Sequence, residues 1–119
     1  MPDGVWRIGD RATFEALRRS SARARGRLLS IVHVPAGAGE HRVRVAYAVG
    51  RPVGSAVERN RARRRLRAVV AELAHSGRLP AGSYLVSARP GINAMRFGDL
   101  LATVSDLAGR VTCPKAPTP

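Results

Sequence analysis

Cysteine is almost absent from this 119-residue chain, and Cys113 stands alone. One thiol builds no disulfide framework and no cysteine-cluster metal site, which points to a reducing, cytoplasmic setting. Aromatic residues are nearly as scarce, at 4% against 45% apolar, so Leu, Val, Ile and Ala must fill the core. Long hydrophobic runs are missing too. The longest charge-free stretch, Leu28 to Gly39, contains Pro35 and falls well short of the roughly 18 apolar residues that cross a bilayer. No membrane partner is implied. Around Trp6 the first ten residues carry Asp3, Arg7 and Asp10, which leaves no room for the apolar segment of a secretory signal. Acidic residues are few: 8 Asp and Glu stand against 21 Lys and Arg, a formal charge of +13 and a pI near 11.8. That excess goes beyond what solubility requires and calls for a polyanionic partner.

Lysine is the last scarcity, since Lys115 is the only one and the other basic residues are all Arg. Guanidinium forks bind phosphate oxygens bidentately and stack on bases, so the polyanion reads as nucleic acid. The length suits one compact domain. We assign it to residues 1–112, followed by a flexible tail over residues 113–119, where Pro114, Pro117 and Pro119 discourage regular structure.

Asp10 reads as the N-cap of a short helix that carries Phe14 and Leu17 on one face. Ser20 to Arg27 is polar and Arg-rich and should end it. Leu28 to Val34 and Arg42 to Val49 read as strands, with Pro35 to Glu40 as a hairpin loop between them. A long helix follows the Gly50 to Ser55 linker. Its residues Ala62, Leu66, Val69, Val70 and Leu73 share one stripe, and Gly77 ends it. Tyr84 to Ala88 is a third strand, and Arg96 to Gly109 is a closing helix with Phe97, Leu100, Leu101, Val104 and Leu107 inward. The order helix, strand, strand, helix, strand, helix implies an α/β two-layer sandwich with a mixed sheet.

Catalytic groups are hard to find. His33, His41 and His75 have no partners at metal-ligand spacing, the acids are scattered singly, and no phosphate loop or nucleophile elbow occurs. The glycines around Arg51 and Pro52 read as a bend. What stands out is residues 51–67, where seven of the seventeen residues are Arg and Glu58 is the only acid. A solvated helix face normally mixes signs, whereas Arg59, Arg63 and Arg67 repeat one sign at i, i+4 and i+8, which costs a few tenths of a kcal/mol per pair. Phosphates along a nucleic-acid backbone offset that repulsion. Asn60 either meets a base edge or holds a neighbouring loop.

The string Gly54-Ser55-Ala56-Val57-Glu58-Arg59-Asn60-Arg61-Ala62-Arg63-Arg64-Arg65-Leu66-Arg67 resembles the RNR motif of the bacterial ribonuclease P protein component. Arg44 to Arg51 is similar to that family's strand ending in a basic residue, and Ala88-Arg89-Pro90 to its third-strand exit. The resemblance spans about residues 7 to 110. It implies a mixed sheet with a left-handed crossover around the motif helix, a fold shared with a ribosomal-protein domain and contrary to the usual handedness. It also implies a protein that binds a large catalytic RNA, which removes the 5′ leader of precursor tRNA by Mg2+-assisted hydrolysis, with no cofactor held by the protein. Carried over, Arg59, Asn60, Arg61, Arg63, Arg64 and Arg67 fall on the contact with the catalytic RNA, while Phe14, Arg18 and Arg51 fall on the leader cleft. The chain departs from the pattern where Arg18 replaces a second aromatic, where Val32 and His33 replace a strand aromatic, and where Pro52 replaces a basic residue. Two other RNA or DNA binders compete with this reading: a ribosomal-protein-like RNA-binding module, and a helix-turn-helix protein, which needs two helices joined by a short turn. A self-sufficient nuclease lacks its carboxylate cluster.

Overall fold

The computed structural model describes residues 5–112; Cys113 and the tail assignment over residues 113–119 lie outside them. The elements run β1 (Val5–Arg7), α1 (Arg11–Arg19), β2 (Arg23–Arg25), β3 (Leu29–Pro35), β4 (Val43–Ala48), α2 (Ala56–His75), β5 (Gly82–Ala88) and α3 (Phe97–Thr112). Short 3-10 turns at Arg51–Val53 and Ile92–Ala94 precede α2 and α3.

The five strands form one mixed sheet in the order β1-β4-β5-β3-β2. This overturns the hairpin expected at Pro35 to Glu40: β3 and β4 are consecutive in sequence but not neighbours, because β5 lies between them. It pairs antiparallel with β3 and parallel with β4, bringing His33, Tyr84 and Val45 into one row. Parallel pairing requires a crossover, and α2 provides it. The sheet also gains edge strands that alternation did not reveal, each only three residues long. β1 pairs parallel with β4, and β2 pairs antiparallel with β3 inside the Arg-rich segment read as a connection.

Alternation along the strands sends Ile31, Val45, Tyr84 and Val86 to one face, where they meet Leu66, Val69, Val70 and Leu73 of α2 and Leu100, Val104 and Leu107 of α3 in the main core. Ala62 and the other stripe residues of α2 are buried as the spacing predicts. The opposite face is smaller: Leu17 of α1 packs there with Ile8 and Val32. Asp10 caps α1 by accepting from the Thr13 N–H at 2.9 Å. Thr13 and then Arg44, which pairs with it, hold the Asp10 carboxyl down to about 2.

Gly82 has φ +139, and a Cβ there would lie 2.5 Å from the Val34 carbonyl oxygen and 2.6 Å from the His33 ring. Only glycine admits that approach. His33 is 3% exposed, stacks on Tyr84 with ring centroids 4.3 Å apart, and donates from Nδ1 to the Ser83 carbonyl at 3.1 Å. Burial pushes its pKa below the ordinary 6.5, against the pull of that hydrogen bond. The folded state therefore favours neutral imidazole. Its stabilising contribution is complete above about pH 6.5 and declines as the pH falls below that value. Thermal melts should show a midpoint that drops between about pH 7.5 and about pH 5.5, with a smaller drop in His33→Gln; an unchanged slope in the variant refutes the role of His33.

Candidate nucleic-acid interface

Gly54, Ser55 and Glu58 fix where α2 begins and so where its arginines emerge. Ser55 Oγ accepts from the Glu58 N–H at 3.2 Å, and Glu58 Oε1 accepts from the Ser55 N–H at 3.1 Å, a reciprocal capping box. Gly54 holds φ +145, and a Cβ there would sit 2.4 Å from Glu58 Oε1. The one acid of the basic segment is thus engaged with backbone. Among the described residues the ion pairs are Glu15–Arg18, Glu40–Arg42, Asp10–Arg44 and Asp106–Arg110, so no arginine of α2 has an acidic partner.

With the apolar stripe pinned to the core, the arginines leave in three directions. Arg61 and Arg64 are exposed on the outer side. Asn60, Arg63 and Arg67 lie on the flank toward β4: Arg63 donates to Asn60 Oδ1 at 2.9 Å and to the Val49 carbonyl at 3.4 Å, and the Arg67 guanidinium lies over the Tyr47 ring at 5.8 Å. Asn60 therefore orients an arginine of its own helix, a contact that is not the hold on a neighbouring loop read from the sequence. Arg65 turns the other way and donates to the Ile92 carbonyl at 3.2 Å and to the Met95 carbonyl, tying α2 to the turn before α3. Arg59 is half-buried, and its Nε donor is buried without a partner within the protein.

Beside Arg63 and Arg67 opens a cavity of about 620 Å3. β1 stops at Arg7, opposite Val45, whereas β4 continues to Ala48. The rest of that strand edge is left uncovered by β1, and the cavity passes it. Trp6, Arg7, Phe14, Tyr47, Arg63 and Arg67 contribute to its wall, which includes three arginines and no acid. Burial, opposed weakly by Arg67, pushes the Tyr47 phenol up to about 12, so it stays protonated and can donate.

Of the residues assigned to the leader cleft, only Phe14 lines this cavity. It is 42% exposed, one turn before buried Leu17 on the same flank of α1. Arg18 points to solvent and meets Glu15 at 3.5 Å. Arg51 is exposed in the 3-10 turn, where Pro52 suits the second position because the first hydrogen bond of the turn is donated by the Val53 N–H and none is asked of Pro52. Val32 lies under α1, and His33 faces the main core. Trp6, Arg7 and Tyr47 were missed as site residues. The signal available for Trp6 was its position, a lone large aromatic among charged neighbours. Among the described residues no three His, Cys, Asp or Glu side chains gather to hold a metal ion, and no helix is long and apolar enough to cross a membrane.

The family model for ribonuclease P matches residues 4–112. The chain belongs to the ribonuclease P protein family. Within that family it is similar to the ribonuclease P protein component of Acidothermus cellulolyticus, 35% identical over 108 residues that cover 90% of this chain and 88% of that protein. A second relative, the ribonuclease P protein component of Thermus thermophilus, is 38% identical over 96 residues; these cover 81% of this chain but 53% of that protein, so the chain spans about half the length of that relative. Among solved structures, the ribonuclease P protein of Thermotoga maritima superimposes with a TM-score of 0.73 at 19% identity, covering 87% of this chain and 96% of that one. The mixed sheet and its three helices are thus those of a ribonuclease P protein, and the matched region takes in both α1 and α2.

Arg65 separates from its neighbours by its contacts. Losing two hydrogen bonds from a charged donor to backbone carbonyls costs about 1–3 kcal/mol, so Arg65→Ala should lower the melting temperature. Arg61→Ala and Arg64→Ala should change stability by less than about 0.5 kcal/mol. Equal melting of all three variants would show that the Arg65 contacts carry no stability.

Proposed function

We propose that this chain is the protein subunit of ribonuclease P, binding the catalytic RNA along α2 and the 5′ leader of precursor tRNA beside Phe14. The observation that carries this reading is the helix itself: a run of arginines, none paired with an acid, runs into a cavity walled by arginines and exposed aromatics. Arg59, Asn60, Arg61, Arg63, Arg64 and Arg67 serve the catalytic RNA. Arg61 and Arg64 meet phosphates from the outer face, and half-buried Arg59 adds its charge beside them. Arg63 and Arg67 stand where that surface meets the leader, so they touch the junction between the two RNAs. Arg18 and Arg51 add charge at the approach to Phe14.

The protein's contribution is to bind and orient. Among the described residues no three His, Cys, Asp or Glu side chains gather, and on this reading the Mg2+ that assists hydrolysis is held by the RNA. The product is the mature 5′ end of tRNA, and the setting for this work is the cytoplasm.

Two measurements test the reading. If α2 and its neighbours neutralise about 5 to 8 phosphates, affinity for the catalytic RNA should fall with a log-log salt slope of about −4 to −6; a slope near about −1 would return the arginines to a solvated face. Arg61→Ala with Arg64→Ala should weaken assembly with the RNA by about 1–3 kcal/mol and be rescued by excess protein. Phe14→Ala should instead assemble normally, melt close to wild type because its ring is half exposed, and weaken precursor tRNA but not mature tRNA. A large loss of stability in Phe14→Ala, or equal weakening of both tRNAs, removes the leader from that site. Free of RNA, the protein should not cleave precursor tRNA at all.

A further inference from the structure

The cavity has two exposed aromatics, Trp6 and Phe14, and the leader reading uses only Phe14. We propose that Trp6 is a second base-stacking platform for the precursor's single-stranded leader, working with Phe14 across the same cavity; this rests on the leader reading above.

Trp6 is 45% exposed on β1, and it lines the cavity along with Phe14. A large ring left half in water on a three-residue edge strand adds little to the core, since Ile8 and Leu17 fill the adjoining one. Its orientation is fixed from one side. The Arg42 guanidinium lies 5.3 Å over the ring, and Glu40 holds Arg42 through hydrogen bonds of 2.9 and 3.0 Å. Those bonds keep the Glu40 carboxyl at about 2, so the brace persists across the working pH range. A ring with a cation on one face and solvent on the other is prepared to receive a nucleobase on its free face, because the guanidinium and the base both attract the π-system. Charge agrees with this occupant, as the cavity wall supplies Arg7, Arg63 and Arg67 for its phosphates and no acid to repel them. Where the family pattern has a second aromatic on α1, this chain has Arg18, pointing to solvent. Stacking is thereby moved from the helix to the neighbouring strand edge.

Trp6 is the only tryptophan of the chain, so its fluorescence reports on it alone. The holoenzyme, reconstituted from the full chain and the catalytic RNA, is titrated with precursor tRNA and with mature tRNA. Precursor should quench the emission and mature tRNA should not. Trp6→Ala should weaken precursor binding about 5- to 150-fold, the range of one stacking platform, leave mature tRNA unaffected, and be largely restored in Trp6→Phe. Melting of each variant is measured beside these titrations, and the wild-type quenching stands whether or not Trp6→Ala folds. No quenching by precursor, or equal weakening of both tRNAs, overturns the assignment. So does quenching complete on adding the catalytic RNA alone, which gives Trp6 to that RNA. If Phe14→Ala discriminates between the tRNAs and Trp6→Ala does not, only the Trp6 proposal falls; if neither does, the leader reading falls with it.

Discussion

Everything functional in this molecule hangs on the insertion of β5 between β3 and β4. The pairing is antiparallel on one side and parallel on the other, so the chain leaving β4 must travel the length of the sheet before β5 can begin. α2 makes that journey. Its apolar stripe is buried against β4, β5 and α3, and this leaves the helix no freedom to rotate. The arginines on its remaining surface are therefore held at fixed bearings by a core they do not enter. Burying one Leu or Val stabilises by roughly 1.5–3 kcal/mol, whereas each like-charged pair costs only tenths. The core wins by a wide margin, and the protein can present unpaired positive charge and still fold.

The one acid of the basic segment is consistent with that division of labour. Glu58 closes the capping box with Ser55. Its charge favours the N-terminal end of the helix dipole, and its geometry draws it to the backbone and away from the arginines that follow. Asp10 does the same for α1 while also accepting Arg44. Caps absorb acids that could otherwise have quenched the interface.

The helices and the three longer strands were legible because they carry local patterns: a cap at Asp10, a stripe from Ala62 to Leu73, alternation from Val43 to Val49. Strand order was not legible. Pro35 to Glu40 has the composition of a hairpin loop, and nothing local to it records that Tyr84 will claim both flanking strands. The two edge strands escaped for a different reason, since three residues are too few to establish alternation, and Arg23 and Arg25 read as solvent-facing in a strand or a loop alike. At the site, the RNR motif located the arginines but treated them as one surface. Their three bearings depend on what packs beneath the helix, and the diversion of Arg65 depends on carbonyls of a turn some thirty residues away. Trp6 and Tyr47 joined Phe14 only through strand pairing, a non-local fact.

The edge strands that were hardest to read have a consequence for how copies of the chain behave toward one another. Open sheet edges are templates for adding a foreign strand, and the usual protection is brevity combined with charge. Here both outermost strands are three residues long, and both bear guanidinium groups, Arg7 on one and Arg23 and Arg25 on the other. Two molecules approaching edge to edge would have to bring those cations together within a few ångströms and would gain only a few ladder hydrogen bonds. The charge on these edges thus opposes edge-to-edge pairing of two copies, and as guanidinium does not lose its proton at any physiological pH, this protection cannot be titrated away. It yields only to salt.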